Sequence, residues 1–368
     1  MRRLTCLDGL RGILACYVML SHTAPLAFVP AGFAWLPPLL AHGGAAVDAF
    51  FILSGLVILR SLDAFHHTAR PFLIARAARI FPVFLLVFTF AVAIRPLDPG
   101  FAAMPWIGAA DPVRTMIGSQ WPPTAPLDIL AHLTMTHGLF PDALLPHVWV
   151  SFLGTSWSLS TEWQFYLLAL LLASRLGGAL RLAVVFLAIS AAALAWTHTA
   201  PANWTFSRAF LPNKAQYFAL GIASILVIDA GRAMLGRYLA VLAAVLILCV
   251  AQGGWGKAAA PLVWTLCLAA QLGWLPPLAT LLRTRLLLWL GAVSYPLYLV
   301  HEPLQKIILA TCAALAGGSG AAFNAAWLPM ALLLPVLAAW GLHHAVELPA
   351  QRWGRAWATR PEKSIIRA

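Results

Sequence analysis

The sequence predicts an all-α, polytopic integral membrane protein with about ten transmembrane helices. Of its 368 residues, 61% are hydrophobic and only 10% are charged, and the mean hydropathy is +0.83. An ordinary soluble domain is about half apolar and roughly a quarter charged. Ten spans of about twenty residues each leave only connecting loops, so we expect no separate soluble catalytic domain.

The spans are predicted from apolar runs that are bounded by Pro, Gly and charged residues. The first run follows Met1-Arg2-Arg3, but it contains Asp8, Arg11 and His22 and lacks the cleavage pattern of a signal peptide. We therefore expect a retained first helix. The predicted spans are 7–27, 46–59, 76–94, 157–173, 182–196, 209–228, 238–250, 258–275, 286–311 and 323–346.

The distribution of Lys and Arg predicts that both termini are cytoplasmic. An even number of spans places the two termini on the same side. Of the 24 Lys and Arg, Arg11 and Lys306 fall within spans, and five lie on the opposite side: Arg95, Arg114, Arg208, Lys214 and Lys257. The other seventeen lie on the side of the termini, which is the bias of a cytoplasmic face. This bias explains the net charge of +12 without a nucleic-acid partner.

The segment 95–156 then lies outside, and its semi-apolar part 127–145 is a candidate re-entrant or interfacial segment. We expect one membrane-embedded domain over residues 1–350 and a short basic cytoplasmic tail over 351–368. The five cysteines form no CxxC pair and four of them lie in apolar runs. They are predicted to be packing residues, with no disulfide framework and no metal site.

Ionisable residues inside a span are functional candidates, because each costs about 2.5–3.5 kcal/mol to insert. They are Arg11, His22, Asp48, Glu162, His301, Glu302 and Lys306. Arg11 and His22 are eleven positions apart, which at about 100° and 1.5 Å per residue places them on one helix face and about 16 Å apart. Either Arg11 holds an anion while His22 works deeper in the bilayer, or Arg11 reaches the interface and His22 is a packing residue.

Three other positions allow competing interpretations. Glu162 either faces a histidine and makes it a better general base, or is satisfied by neighbouring hydroxyl and backbone groups. Asp48 is most simply an N-cap of the second helix. Arg76 and Arg79 are three residues apart on one face, and they either bind phosphates bidentately or anchor the third span at the inner surface.

Motifs of several other enzyme classes are missing or coincidental. His137 and Asp142 have an H-x4-D spacing, but they lie in the predicted outer segment with a Pro between them, and we attribute the spacing to chance. The sequence contains no P-loop, no G-x-S-x-G and no H-E-x-x-H. ATP-driven transport, a serine-hydrolase elbow and a zinc protease therefore have no support.

Six sequence blocks, in order, resemble those of the bacterial acyltransferase family three of membrane proteins. They are Leu7-Asp8-Gly9-Leu10-Arg11-Gly12 followed by His22, the run from Ala46 to Gly55, the run from Arg76 to Pro82, the run from Trp157 to Tyr166, the run from Ser294 to His301, and Glu347-Leu348-Pro349. The resemblance covers nearly the whole chain. An ordered set of six blocks is more specific than any block alone.

The resemblance implies a ten-helix enzyme that transfers an acyl group, usually acetyl, from cytoplasmic acyl-coenzyme A (acyl-CoA) to a hydroxyl of a surface carbohydrate or glycolipid. By this likeness His22 is the general base and Glu162 a functionally important acidic residue. Arg11, Arg76 and Arg79 match donor-binding positions. Other residues are candidates for acceptor binding or for a structural role: Asp48, Ser54, Ser160, Tyr166 and His301. Ser54 and Ser160 are also candidates for carrying a covalent acyl group.

The implied location is the bacterial inner (cytoplasmic) membrane, in which the protein is multi-pass and has no permanently bound cofactor. Any periplasmic domain of the kind that some relatives carry is expected to be a separate partner protein. The chain departs from the family pattern at Ala75, where relatives often have an arginine, and at Leu56, where an aromatic residue is common. The alternatives are a proton-coupled transporter, because a buried His and Glu also suit a proton relay, and a non-catalytic scaffold of a polysaccharide assembly complex.

Overall fold

The structure is a computed structural model that describes residues 4–201 and 204–359. These residues form helices and connecting turns, with no strand among them, so the predicted all-α class is confirmed. Arg2, Arg3 and the basic residues after Thr359, which the sequence assigns to the cytoplasmic face, lie outside the described residues.

Fifteen α-helices occur in the described ranges. They are α1 (Thr5–Thr23), α2 (Leu36–Leu40), α3 (Gly43–Ala64), α4 (Ala69–Ala93), α5 (Pro112–Ile117), α6 (Ala125–Leu133), α7 (Trp157–Leu176), α8 (Ala179–Thr199), α9 (Ala215–Ala230), α10 (Leu235–Gly253), α11 (Ala259–Gln271), α12 (Pro276–Leu282), α13 (Arg285–Ala316), α14 (Gly320–Leu342) and α15 (Leu348–Ala358). A π-helical turn at His343–Glu347 joins α14 to α15.

Six helical stretches are long and apolar enough to cross a membrane, and a bent pair adds a seventh. The six are Ala31–Ala64, Ala69–Ala93, Ala179–Thr199, Leu211–Gly253, Arg285–Ala316 and Gly320–Ala358. The bent pair is Trp255–Gln271 with Pro276–Leu282, at an angle of 97°. A multi-pass membrane protein is therefore supported, whereas ten spans and cytoplasmic termini stay predictions.

Three features account for the difference between seven and ten. Helices α1 and α7 are long enough, but they contain polar site residues such as Arg11 and Glu162 and fall short in apolarity. Helices α9 and α10 belong to one continuous helical stretch, although they pack side by side around the turn Gly231–Met234. Each of the ten predicted segments thus overlaps a helix, and the segment 258–275 contains only the first helix of the bent pair.

The centre of the bundle is the contact between α1 and α13, which glycines bring unusually close. A Cβ atom on Gly291 would lie 2.0 Å from the carbonyl oxygen of Asp8, and one on Gly12 would lie 2.6 Å from the carbonyl oxygen of Leu287. Small residues at such positions let helix backbones approach each other inside a membrane. This approach sets the distance between the polar side chains of α1 and those of α13.

The close approach predicts that Gly291→Ala is strongly destabilising. The added methyl group meets backbone rather than a flexible side chain, so α1 and α13 must move apart. We expect a loss of about 1–3 kcal/mol or more, as for other overpacked interiors, measured as a lower unfolding temperature in detergent. Gly236→Ala is the matched control, since nothing lies within 4 Å of its added Cβ. Equal unfolding temperatures for the two variants would contradict this account of the α1–α13 contact.

The segment 95–156 covers the end of the bundle at which α1 ends, which we call the loop end. Lys306 donates to the carbonyl oxygens of Arg95 at 2.9 Å and Gly118 at 3.2 Å, and the Trp106 indole donates to the Leu26 carbonyl oxygen at 3.1 Å. These contacts tie the segment to α13 and to the end of α1. Whether part 127–145 enters the membrane stays a prediction.

The structure describes the first part of the predicted basic tail over 351–368. Residues as far as Ala358 belong to α15, which packs against α4. Gly354 is buried there, and a Cβ on it would lie 2.3 Å from the Ala78 Cβ. Residues 351–358 are therefore helical and packed against α4, residues 360–368 lie outside the described residues, and the boundary at residue 350 stays a prediction.

Candidate active site

A cavity of about 970 Å³ opens at the end of the bundle where α1 begins. We call it the basic cavity, because the side chains of five arginines line it: Arg60, Arg76, Arg79, Arg283 and Arg355. The acidic residues in its wall are Asp8 and Asp229, and Asp229 forms an ion pair with Arg60. Its volume is at the upper end of the range of about 300–1,000 Å³ that is usual for ligand sites. It is suited to a large anion.

Arg76 and Arg79 lie one turn apart near the start of α4 and both line the basic cavity. The Arg76 guanidinium donates to Ser61 Oγ at 2.9 Å, whereas its Nε is buried without a partner in the part of the chain that the structure describes. Burying such a donor unpaired is costly. A phosphate oxygen is the kind of acceptor that would remove this cost.

A second cavity, of about 260 Å³, continues from the basic cavity toward the middle of the bundle. We call it the central cavity; Asp8, Val57, Arg76 and Arg79 line both. Its other polar wall residues are Arg11, Ser54, Ser158, Glu162, Tyr166, Ser294, Tyr295 and Tyr298. The two cavities form one path from the arginines inward.

Two hydrogen bonds hold the side chains of Arg11 and Glu162 in the wall of the central cavity. The Arg11 guanidinium donates to Ser294 Oγ at 3.0 Å, which joins α1 to α13. Tyr166 Oη donates to Glu162 Oε2 at 2.9 Å, within α7. Glu162 therefore faces the same cavity as Arg11, Arg76 and Arg79, and its carboxylate balances part of their charge.

His22 and His301 form a direct pair between α1 and α13. His22 Nδ1 lies 2.8 Å from His301 Nε2, and His301 Nδ1 lies 3.0 Å from the Leu297 carbonyl oxygen. A carbonyl oxygen can only accept, so His301 carries its proton on Nδ1, and its Nε2 is an acceptor while the ring is neutral. His22 Nδ1 must then donate, which leaves the lone pair of His22 on Nε2. The backbone thus selects the tautomer of His22 through His301.

The histidine pair lies between the central cavity and a third cavity at the loop end. The Tyr298 ring, which lines the central cavity, is 6.4 Å from the His301 ring. His22 lines the third cavity, which has a volume of about 300 Å³ and which we call the loop-end cavity. Arg11 and His22 both contact α13, from the central cavity and from the loop-end cavity respectively. The His22–His301 pair therefore borders the loop-end cavity on one side and Tyr298 of the central cavity on the other.

One interpretation of the sequence has Glu162 facing a histidine. In the structure Glu162 and His22 are not brought together. Glu162 binds Tyr166 and lines the central cavity, whereas the ring that contacts His22 is His301. The competing interpretation, a Glu satisfied by a neighbouring hydroxyl, describes the observed contact. A catalytic role for Glu162 stays a prediction.

Asp48 does not cap its helix, contrary to the simplest interpretation of the sequence. Helix α3 begins at Gly43, so Asp48 lies beyond its first turn, and its carboxylate binds Lys214 Nζ at 2.6 Å. Both side chains are buried. The pair links α3 to the start of α9, which is a structural role, and Lys214 is not an exposed charge of the outer face.

The two candidate serines differ in their surroundings. Ser54 lines the central cavity. Ser160 is fully buried, donates to the Met135 carbonyl oxygen at 2.7 Å and accepts from the Gly138 N–H at 3.0 Å. Ser160 therefore holds α7 against the segment that follows α6, and of the two serines only Ser54 lies in the wall of a cavity described above.

His132 and His137, in the segment outside the spans, form a stacked pair with ring centroids 4.1 Å apart. Burial lowers the pKa of His132 to about 4 and that of His137 well below its ordinary value. His137 lies 3.2 Å from the Ser156 carbonyl oxygen through Nε2. These neutral, packed rings support the view that the His137–Asp142 spacing is coincidental.

The sequence alone does not reveal the roles of several residues that line these cavities. Arg60, Arg283 and Arg355 are three of the seventeen basic residues on the predicted cytoplasmic side, and their separation in the chain gives no sign that they share one cavity. Glu302 is an ionisable residue within a predicted span, without an assigned role. In the structure it lines the loop-end cavity with His22. Its position within a predicted span made it a functional candidate, but that signal does not assign it a role.

Comparison with known proteins gives one match. A family model described as an acyltransferase domain, that of the third acyltransferase family, matches residues 4–344. Searches of curated proteins and of solved structures give no significant match. The match spans every residue of the three cavities except Gln351 and Arg355.

Proposed function

Because this chain belongs to acyltransferase family three and is thus a membrane acyltransferase, we propose that it transfers an acyl group from acyl-CoA to a hydroxyl of an envelope or exported carbohydrate. The acyl group that we propose is acetyl. One observation carries this proposal. A path lined by arginines leads inward from one end of the bundle, and a histidine pair separates it from a cavity at the other end.

The basic cavity is the proposed site of the coenzyme A phosphates. Arg76 and Arg79 bind them at the junction of the basic and central cavities, and Arg11 lies farther along the same path. The pantetheine arm then extends through the central cavity toward Tyr298. This end of the bundle is the cytoplasmic side by the positive-inside rule, which is also the side on which acyl-CoA is made. The membrane is then a bacterial inner membrane.

The chemistry follows from the tautomer of His22. The acceptor hydroxyl enters from the loop-end cavity and gives its proton to His22 Nε2 as its oxygen attacks the thioester carbonyl carbon. The new O–C bond forms and the C–S bond breaks, and the leaving coenzyme A thiolate receives from His22 the proton that came from the acceptor hydroxyl. His301 is a positioning residue: its Nε2 accepts the hydrogen bond of His22 Nδ1 and so holds the His22 ring in place. General-base help of this kind is worth about 10²–10⁴ in rate, and alignment supplies much of the remainder.

Acyl transfer by the purified protein tests the proposal against its two rivals. The protein is placed in liposomes with acetyl-CoA labelled in the acetyl group and with envelope glycans as acceptors. We expect label in an alkali-labile ester on the glycan. A proton-coupled transporter moves a solute without forming an ester, and a scaffold does neither, so either result would contradict the proposal.

The pairing of His22 and His301 predicts graded effects of substitutions at His301. His301→Leu removes the acceptor that fixes His22, so we expect kcat to fall by about tenfold or more while the KM for acetyl-CoA changes little. His301→Gln offers a side-chain oxygen to His22 Nδ1 and is expected to recover part of kcat. The pH–rate profile adds a readout that a packing role would not move, because the variants alter the base itself. Equal losses for Leu and Gln, with an unchanged profile, would assign His301 to packing.

A further inference from the structure

Besides His22, the wall of the loop-end cavity contains the carboxylate of Glu302, to which the reaction described above assigns no role. Glu302 is 5% exposed and follows His301 on α13, and its side chain lines the cavity. Its Oε1 accepts the N–H of Gly154 at 3.1 Å, and the N–H of Thr155 also lies near the carboxylate, but Oε2 is buried and no contact to it among the residues described has hydrogen-bond geometry. A buried carboxylate oxygen without a partner is costly, so this one is a candidate for binding a ligand.

The surroundings of Glu302 favour a neutral ligand that carries hydrogen-bond donors. Arg95 and Lys306 line a small adjoining cavity together with Glu302, so two cations already lie beside its carboxylate. They lower the cost of burying its charge. A ligand cation is not required for that purpose, whereas a hydroxyl group supplies the hydrogen bond that Oε2 lacks.

The size and lining of the loop-end cavity limit the ligand further. A volume of about 300 Å³ lies at the small end of the range for ligand sites, so it suits one ring rather than an oligosaccharide. Its polar wall residues are Ser21, His22, Asp111, Glu302 and Gln305. Asp111 already accepts the Val113 N–H at 2.9 Å, and Gln305 donates to Thr23 Oγ1 at 2.8 Å. Glu302 is thus the cavity carboxylate with an unpartnered, buried oxygen.

We propose that Glu302 selects the acceptor: its free oxygen accepts a hydrogen bond from a hydroxyl adjacent to the one that His22 deprotonates. The preferred substrate class is therefore a ring with vicinal hydroxyls. This inference rests on the proposed function, and it adds a specificity-determining residue at the acceptor side. The reacting bonds are unchanged, since the second hydroxyl keeps its proton and only orients the ring.

A matched pair of small acceptors tests the role of Glu302. Cyclohexanol and trans-1,2-cyclohexanediol share one ring and differ by a single adjacent hydroxyl. The wild-type protein is expected to acylate the diol with the higher kcat/KM. Glu302→Gln keeps an oxygen for Gly154 but replaces the second oxygen by an amide nitrogen, which can only donate. We expect kcat/KM for the diol to fall about ten- to a hundredfold, with cyclohexanol changed by less than about twofold.

Two further variants separate selection from stability. Asp98→Asn makes the same charge change at the loop end on an exposed residue, and it should keep the diol preference. Glu302→Asp keeps the carboxylate but withdraws it, and it should keep part of the preference. If Glu302→Gln slows both acceptors equally, Glu302 is structural and the inference is wrong. If the wild-type protein acylates neither acceptor nor any glycan, the proposed function itself fails.

Discussion

His22→Ala is expected to abolish acyl transfer, with a loss of at least about 10²–10⁴ in kcat. The variant removes the lone pair on Nε2 that takes the acceptor proton, and no other described residue contacts the His301 ring in the same way. Binding of acetyl-CoA should persist, because the arginines lie in the basic and central cavities. The measurements are single-turnover transfer and donor affinity on the same preparation.

His198→Ala is the matched control, since His198 is an exposed histidine near the end of α8 and lines none of the three cavities. It should transfer acyl groups at the wild-type rate. Gel filtration checks that the His22→Ala variant is folded. If the folded variant kept near wild-type turnover, His22 would not be the base. Glu162→Gln should do less damage than His22→Ala. If Glu162→Gln lost as much activity as His22→Ala, Glu162 would be the better candidate for the base.

The second large effect is expected for donor binding. Arg76→Ala or Arg79→Ala should raise the KM for acetyl-CoA about ten- to a hundredfold, the value of one charge-assisted contact, with a smaller change in kcat. Such a pattern is typical of binding that the ground state and the transition state share. Lys should restore the affinity only partly, because it supplies charge without the planar fork. Arg11→Ala should change both parameters, since Arg11 contacts Ser294 on the path toward the histidine pair.

The control for the arginines removes equal charge elsewhere. Arg175 and Arg181 lie on the same predicted face, are exposed and contact the backbone of α7 near its end. The double variant Arg175→Ala, Arg181→Ala should keep the donor KM. An unchanged donor KM in the Arg76→Ala, Arg79→Ala double variant would instead show that these arginines only anchor the helix and that coenzyme A binds elsewhere.

Local periodicity predicts which site residues share a helix face, whereas long-range contacts determine which residues of other helices they meet. The spacing of Arg11 and His22 predicts a shared helix face, because both lie on one helix with a fixed rise and rotation. Their partners on α13 are more than 270 residues away in the chain, and no local pattern predicts which α13 residue each one contacts. The glycines of α1 and α13 indicate a close helix contact only once the two helices are known to touch.

Charges show the same limit. The prediction that Asp48 is a cap fails because α3 begins before the apolar run does and because Lys214 arrives from a distant segment. The bias of Lys and Arg predicts a cytoplasmic face. It does not predict that Arg60, Arg283 and Arg355 converge on one cavity with Arg76 and Arg79. Among the helices that overlap predicted spans, hydropathy is weakest for α1 and α7, because site residues replace apolar ones there.

In the proposed reaction the acyl group passes from a donor in the basic and central cavities to an acceptor in the loop-end cavity, across the membrane. Sealed liposomes that contain the protein, with labelled acetyl-CoA enclosed and trans-1,2-cyclohexanediol covalently attached to an impermeant polymer outside, measure this transfer directly. We expect ester label on the external polymer with wild-type protein and none with His22→Ala. Label that appears only when donor and acceptor share one side of the membrane would contradict it.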